Sequence, residues 1–139
     1  MSKLVRFGVA MEDGLLKKFD RLISRRGYAN RSEAIRDLVR REFVKEEWAD
    51  AKAETVGTIT LVYDHGTREL DAALVDLQHH NHRLVVSSMH VHLTAHACME
   101  VLAVRGKAKA IRALADRLIA TKGVRHGKLA ATTTGRAMA

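Results

Sequence analysis

The sequence predicts an α+β chain in two parts. Residues 1–52 read as one strand followed by two helices, and residues 53–139 alternate β-α-β-β-α-β. Six of the eight histidines and the single cysteine crowd into residues 79–98, and the chain carries a net charge of +8. The charge points to a polyanionic partner, most often nucleic acid. The histidines and the cysteine point to a metal ion.

Composition sets the outer limits. A hydrophobic content of 47% in 139 residues is enough for one or two small packed domains. No window of 18 apolar residues exists, so neither a transmembrane helix nor a membrane partner is expected. Met1 to Arg6 lacks the apolar core of a secretion signal, and one cysteine cannot make an internal disulfide. The expected compartment is therefore the reducing cytoplasm. Up to Lys52 there are 13 basic and 9 acidic residues, and beyond it 11 and 7, so charge alone does not say which part meets the polyanion.

In the first part, Leu4 to Ala10 alternates, with Val5, Phe7 and Val9 on one face and Arg6, Gly8 and Ala10 on the other. This is one short strand. Glu12 and Asp13 put negative charge at a helix start, and Leu15, Leu16, Phe19, Leu22 and Ile23 follow at helical spacing. Gly27 stops that helix. Asn30-Arg31-Ser32-Glu33 reads as a capping-box start, and the second helix carries Ala34, Ile35, Leu38, Val39 and Phe43 as its buried stripe, reaching about Lys52. A lone strand leaves its backbone donors and acceptors unsatisfied, so the economical solution is to pair it with the same strand of a second chain.

In the second part Thr55-Val56-Gly57 is expected to link the halves. Strands are predicted at Thr58–Tyr63, His82–Leu93, Cys98–Val104 and Val124 to about Thr132. Helices are predicted at Thr67–Leu77, with Leu70, Leu74 and Leu77 on one face, and at Lys107–Lys122, with Gly106 as a turn before it and Gly123 as its stop. The order is the ferredoxin-like arrangement, which in regulators commonly serves as an ACT-like sensor domain.

His90 and His92, two apart on a strand, project from one face, and a hairpin brings Cys98 within reach of the same ion. Imidazole and thiolate select against Mg²⁺ and Ca²⁺ and suit Ni, Cu, Zn or Co. Three such donors leave a fourth position open. His79 to His82 lie at the far end of the strand, which rises about 3.3 Å per residue, so another subunit's cluster fills that position more easily. Glu100, two residues from Cys98 on the same face, is placed to orient a ligating imidazole, and Gln78 to a lesser extent.

Strand, helix and helix within about 50 residues, with Asn30-Arg31-Ser32-Glu33-Ala34 opening the second helix, resemble the ribbon-helix-helix DNA-binding domains. The resemblance implies that Arg6, Gly8 and Ala10 face bases in the major groove, while Asn30, Arg31 and Ser32 hold the phosphate backbone. Gly8 and Ala10 offer no side-chain hydrogen bonds. Direct readout then rests on Arg6, worth roughly 1–3 kcal/mol against a guanine, and DNA shape carries more of the specificity.

Taken together, residues 27–37, Gln78-His79-His80-Asn81-His82, His90-Val91-His92, Cys98 and Gly123-Val124-Arg125-His126-Gly127 are similar to the NikR family of nickel-responsive regulators. That resemblance implies a homotetramer, a dimer of dimers, on double-stranded operator DNA with palindromic half-sites. It implies one Ni(II) per subunit, square-planar between His90, His92 and Cys98 of one subunit and His79 of a neighbour. It further implies a second cation site at Glu33 and Asp37 and repression of nickel uptake; as our own reading, nickel orders residues 67–82 and Arg68 adds a phosphate contact. A sensor of an amino acid on the same scaffold would leave the histidines unused. An enzyme is not expected, since no general base beyond Glu100 and no substrate pocket accompany the three donors.

Overall fold

The computed structural model describes residues 2–138. Two compact units divide the chain; the first takes in the residues up to Phe43 together with Ala137 and Met138, and the second runs Val44–Arg136. In the first unit, α1 (Asp13–Arg25) ends where Gly27 adopts φ +80°, which lets the Tyr28 N–H reach back to the Ile23 carbonyl at 3.0 Å. Then α2 (Arg31–Ala49) begins at the predicted cap, the Asn30 side-chain oxygen accepting the Glu33 N–H at 2.9 Å.

In a single chain the strand read as pairing with a second copy is not formed, and one expectation, the buried stripe, is corrected. Residues 4–10 form no strand, and Leu4, Val5, Phe7 and Val9 are exposed. A lone ribbon strand has no backbone partner, so nothing in one chain holds it extended. Likewise, among the described residues of this unit only Ile23 and Ala34 are buried, while Leu15, Leu38, Val39 and Phe43 are about half exposed. Two helices alone cannot cover both apolar faces. The stripe read as core is half exposed in one chain.

In the second unit β1 (Glu54–Asp64), α3 (Leu70–His80), β2 (Val85–His92), β3 (Ala97–Lys107), α4 (Ala108–Ala120) and β4 (Val124–Thr132) follow in the predicted order. The sheet is wholly antiparallel with order β2-β3-β1-β4, the ferredoxin-like arrangement. Three details differ from expectation. Thr55-Val56-Gly57 is no linker but lies inside β1, paired with Arg105 to Gly106 and Val104. Gly106 lies within β3, which passes into α4 without a loop. And α3 starts at Leu70, because Asp64 and Thr67 close turns first (Thr67 N–H to Asp64 O 3.0 Å, Leu70 N–H to Thr67 O 3.3 Å), and it continues to His80.

Alternation along the strands sorts the two sheet faces. Thr55, Ile59, Leu61 and Tyr63 of β1 and Cys98, Glu100, Leu102 and Val104 of β3 are buried, in a core completed by Leu70 and Leu74 of α3, by Ile111, Leu114 and Leu118 of α4, and by Trp48. The register places Met89, Val91, Met99, Val101, Thr60 and Val62 together on the opposite face, which no helix of the chain covers. Among the described residues no helix is long and apolar enough to cross a membrane.

α4 lies close on the sheet because β4 carries a glycine beneath it: a Cβ on Gly127 would sit 2.4 Å from Ile119 Cγ1. Gly127→Ala is expected to destabilise by about 1–3 kcal/mol through overpacking. Gly14→Ala, in α1 with nothing within 4 Å of the added atom, should instead gain up to about 1 kcal/mol. Denaturant unfolding at fixed protein concentration checks both signs, and an unharmed Gly127→Ala protein would contradict the packing.

Candidate metal centre and nucleic-acid interface

The β2–β3 turn is closed by Thr94, whose hydroxyl accepts the Ala97 N–H at 3.0 Å and the His96 N–H at 3.3 Å, while the Leu93 N–H bonds the Ala97 carbonyl at 2.9 Å. This turn sets the register: His92 faces Cys98 and His90 faces Glu100. Residues directly opposite on an antiparallel pair share a face, with Cβ atoms about 5 Å apart. The rings of His90 and His92 stand 5.1 Å apart, both exposed, beside the fully buried Cys98. Sequence spacing placed these three on one face, and the register sets them there.

Beneath them lies a buried polar cluster. Tyr63 Oη donates to Glu100 Oε2 at 2.9 Å and Gln78 Nε2 donates to Glu100 Oε1 at 2.8 Å, so both carboxylate oxygens are held by groups other than an imidazole. Glu100 thereby ties the C-terminal turn of α3 to β3, one residue before His79. Burial first, and the Glu100 carboxylate second, push the Tyr63 hydroxyl far above the ordinary tyrosine range, so it stays a donor. Burial also pushes the Cys98 thiol up, and Sγ donates to the Tyr63 carbonyl at 3.4 Å.

His79 sits on the last turn of α3, exposed. Among the described residues no three His, Cys, Asp or Glu side chains of the single chain converge closely enough to hold an ion. The hairpin aligns donors without closing a site. Sequence reasoning missed two residues here. The ring of His65 packs edge-on to His92 at 5.6 Å and its backbone N–H bonds the His96 carbonyl at 3.2 Å; Tyr63 packs edge-on to His90 at 6.1 Å. Only the β1–β3 pairing, which sets Tyr63 opposite Cys98, brings this remote stretch to the hairpin.

In the first unit Arg6, Gly8 and Ala10 lie exposed in the N-terminal segment. Asn30 is spent on the α2 cap, and Arg31 makes a two-bond pair with Asp20 of α1, at 2.8 Å for both contacts. That guanidinium holds the Asp20 carboxyl below its ordinary range. Glu33 and Asp37 stand one turn apart on α2, the latter accepting from Tyr28 Oη at 2.8 Å and from Arg40 at 3.4 Å. Arg68 is exposed in the turn between β1 and α3.

Residues 5–46 match the family described as ribbon-helix-helix protein, copG family, and residues 56–132 match the NikR C terminal nickel binding domain. A protein of Geobacter sp. (strain M21) is 55% identical over 138 residues, covering 99% of each chain. One of Solibacter usitatus (strain Ellin6076) is 53% identical over 138 residues, again 99% of each. One of Thermococcus onnurineus (strain NA1) is 53% identical over 134 residues, 96% of this chain and 97% of its own. All three carry the provisional description nickel-responsive regulator. A DNA-binding half joined to a nickel-binding half defines a metal-responsive regulator of transcription, a class that is not enzymatic. The chain belongs to the NikR family, the nickel-responsive members of that class.

Removing one donor from the buried Glu100 isolates what the polar cluster contributes. Tyr63→Phe is expected to cost about 1–3 kcal/mol of stability in the metal-free protein, the usual penalty for a buried charged group losing a hydrogen bond. Equilibrium unfolding reads it, and a change within error would show Glu100 satisfied without Tyr63.

Proposed function

We propose that this protein is a cytoplasmic homotetramer, a dimer of dimers, that represses nickel uptake genes when one Ni(II) per subunit is bound by His90, His92 and Cys98 together with His79 of a neighbouring subunit. The observation that carries this reading is the hairpin register: two imidazoles and a thiol lie on one face of β2 and β3, among the described residues no further donor of the same chain closes the set, and His79 is exposed on α3. Two imidazoles, a thiolate and a further imidazole fit nickel or copper. When bound, the ion supplies a link between subunits.

The chain's own residues do the rest. Glu100 and Gln78 hold the turn bearing His79 against β3, so filling the site favours one position of α3 and of the Arg68 turn before it. In the paired ribbon Arg6, Gly8 and Ala10 meet the major groove of a palindromic operator. The start of α2 holds a phosphate through its free N–H groups and Ser32, with Asn30 shaping that end and Arg31 fixing it to α1. Glu33 and Asp37 offer carboxylates for a second cation. The half-exposed stripe of the first unit and the uncovered sheet face of the second are the surfaces on which copies of the chain assemble.

A tenfold gain in operator affinity needs only about 1.4 kcal/mol of differential binding. Gel-shift or anisotropy titrations with and without Ni(II) should show at least that gain, and equal affinities would overturn the switch. His79→Ala and Cys98→Ala proteins should each lose high-affinity nickel binding, whereas mixed tetramers of the two should regain part of it. Full nickel affinity in His79→Ala alone would mean that the site is not shared.

A further inference from the structure

The chain's positive charge is unevenly placed. Of 24 basic and 16 acidic residues, the stretch from Arg105 to Arg136 holds nine and one, which leaves fifteen of each sign in all the rest. The whole excess of +8 therefore belongs to the end of β3, to α4, and to β4 with the residues just after it. This stretch lies entirely within the second unit.

Packing fixes which way the charge on α4 faces. Ile111, Leu114 and Leu118 are buried in the core, so the helix turns its opposite arc outward. That arc carries Lys109, Arg112, Asp116 and Arg117, all exposed, with Lys107 before the first turn and Lys122 beyond the last. Among the described residues Lys107, Lys109, Arg117 and Lys122 have no carboxylate partner, whereas Arg105 and Arg125 at the flanks pair with Glu54 and Asp64. The Arg112 guanidinium lies 5.6 Å from the Trp48 ring centre, a contact that holds the group and leaves its charge in place. Among the described residues no large apolar side chain is exposed on α4. This face therefore has nothing to bury against a second copy, and two such faces repel each other.

We propose that the outward face of α4 binds the phosphate backbone of duplex DNA without regard to sequence, as a contact separate from the ribbon. Duplex DNA is the polyanion that fits, because the first part of this chain belongs to a DNA-binding family. Lys107 to Lys122 span roughly 22 Å along the helix, against one phosphate charge for every ~1.7 Å of duplex. A row of flexible cations on a helix flank meets phosphates and reads no base edge, so it adds affinity and no sequence preference. Asp116 opposes it from within. The inference rests on the DNA-binding half of the chain and is independent of the nickel switch.

The test uses full-length protein stripped of metal by a chelator and follows its affinity for a random-sequence duplex from about 50 to 200 mM salt. The triple variant Lys107→Gln, Lys109→Gln and Arg117→Gln should bind about tenfold more weakly at the lower salt. Its plot of log affinity against log salt should be shallower by about 2 to 3, since each phosphate neutralised contributes about 0.9. Asp116→Asn should instead tighten binding, by about twofold or more. Both variants should unfold within error of the parent, because the replaced side chains are exposed. Unchanged affinity and slope in the triple variant overturn the proposal, as does a parent protein with no affinity for the random duplex. Capture of the parent by phosphatidylglycerol vesicles, lost in the triple variant while DNA binding stays intact, overturns it in favour of a membrane surface. If the triple variant fails to fold, Asp116→Asn decides, and duplex affinity unchanged there overturns the proposal.

Discussion

The pairing of two strands, Val85–His92 with Ala97–Lys107, is the constraint on which the rest depends. A slip of one residue would turn His90 and His92 to the opposite face and leave Cys98 beside valine and methionine. The Thr94 turn opposes that slip, and the pairing of β3 with β1 holds Cys98, Glu100, Leu102 and Val104 on the buried face. The turn and the core packing thus impose the same register, the one the proposed metal site needs.

Much of this was legible in the residues. His-X-His followed by a cysteine six positions on, within apolar β-branched sequence, gave the hairpin and its three donors. The Asn30 cap and the Gly27 stop gave both helices of the first unit. The residues that escaped notice, Tyr63 and His65, sit on a strand distant in sequence, and only the sheet order sets them beside the hairpin. Local pattern cannot supply sheet order. The supposed linker at Thr55-Val56-Gly57 misled for a related reason: a glycine within a β-branched run looks like a break, whereas here its missing side chain leaves room for the Ala130 carbonyl of β4, which a Cβ would approach to 2.7 Å. The N-terminal strand was read as needing a second chain, and in one chain it does not form.

Arg31 shows how an element can be read correctly and its chemistry assigned too directly. A basic residue at a helix start invites a phosphate, yet its guanidinium grips Asp20, bracing α1 against the end of α2 that a phosphate would meet. Both contacting groups are substantially exposed, so the pair contributes little stability in water. Its value is in orientation. The same holds for Glu100, whose two donors come from a strand and a helix and fix where His79 is carried.

The apolar surfaces left open on each unit tie folding to abundance. A regulator needs few molecules per cell, and an isolated chain with Phe7, Phe43, Met89 and their neighbours facing water is both less stable and prone to stray association. The assembled form must therefore hold together at very low concentration. Stability is then tied to the amount of protein present, because folding and assembly draw on the same apolar surfaces.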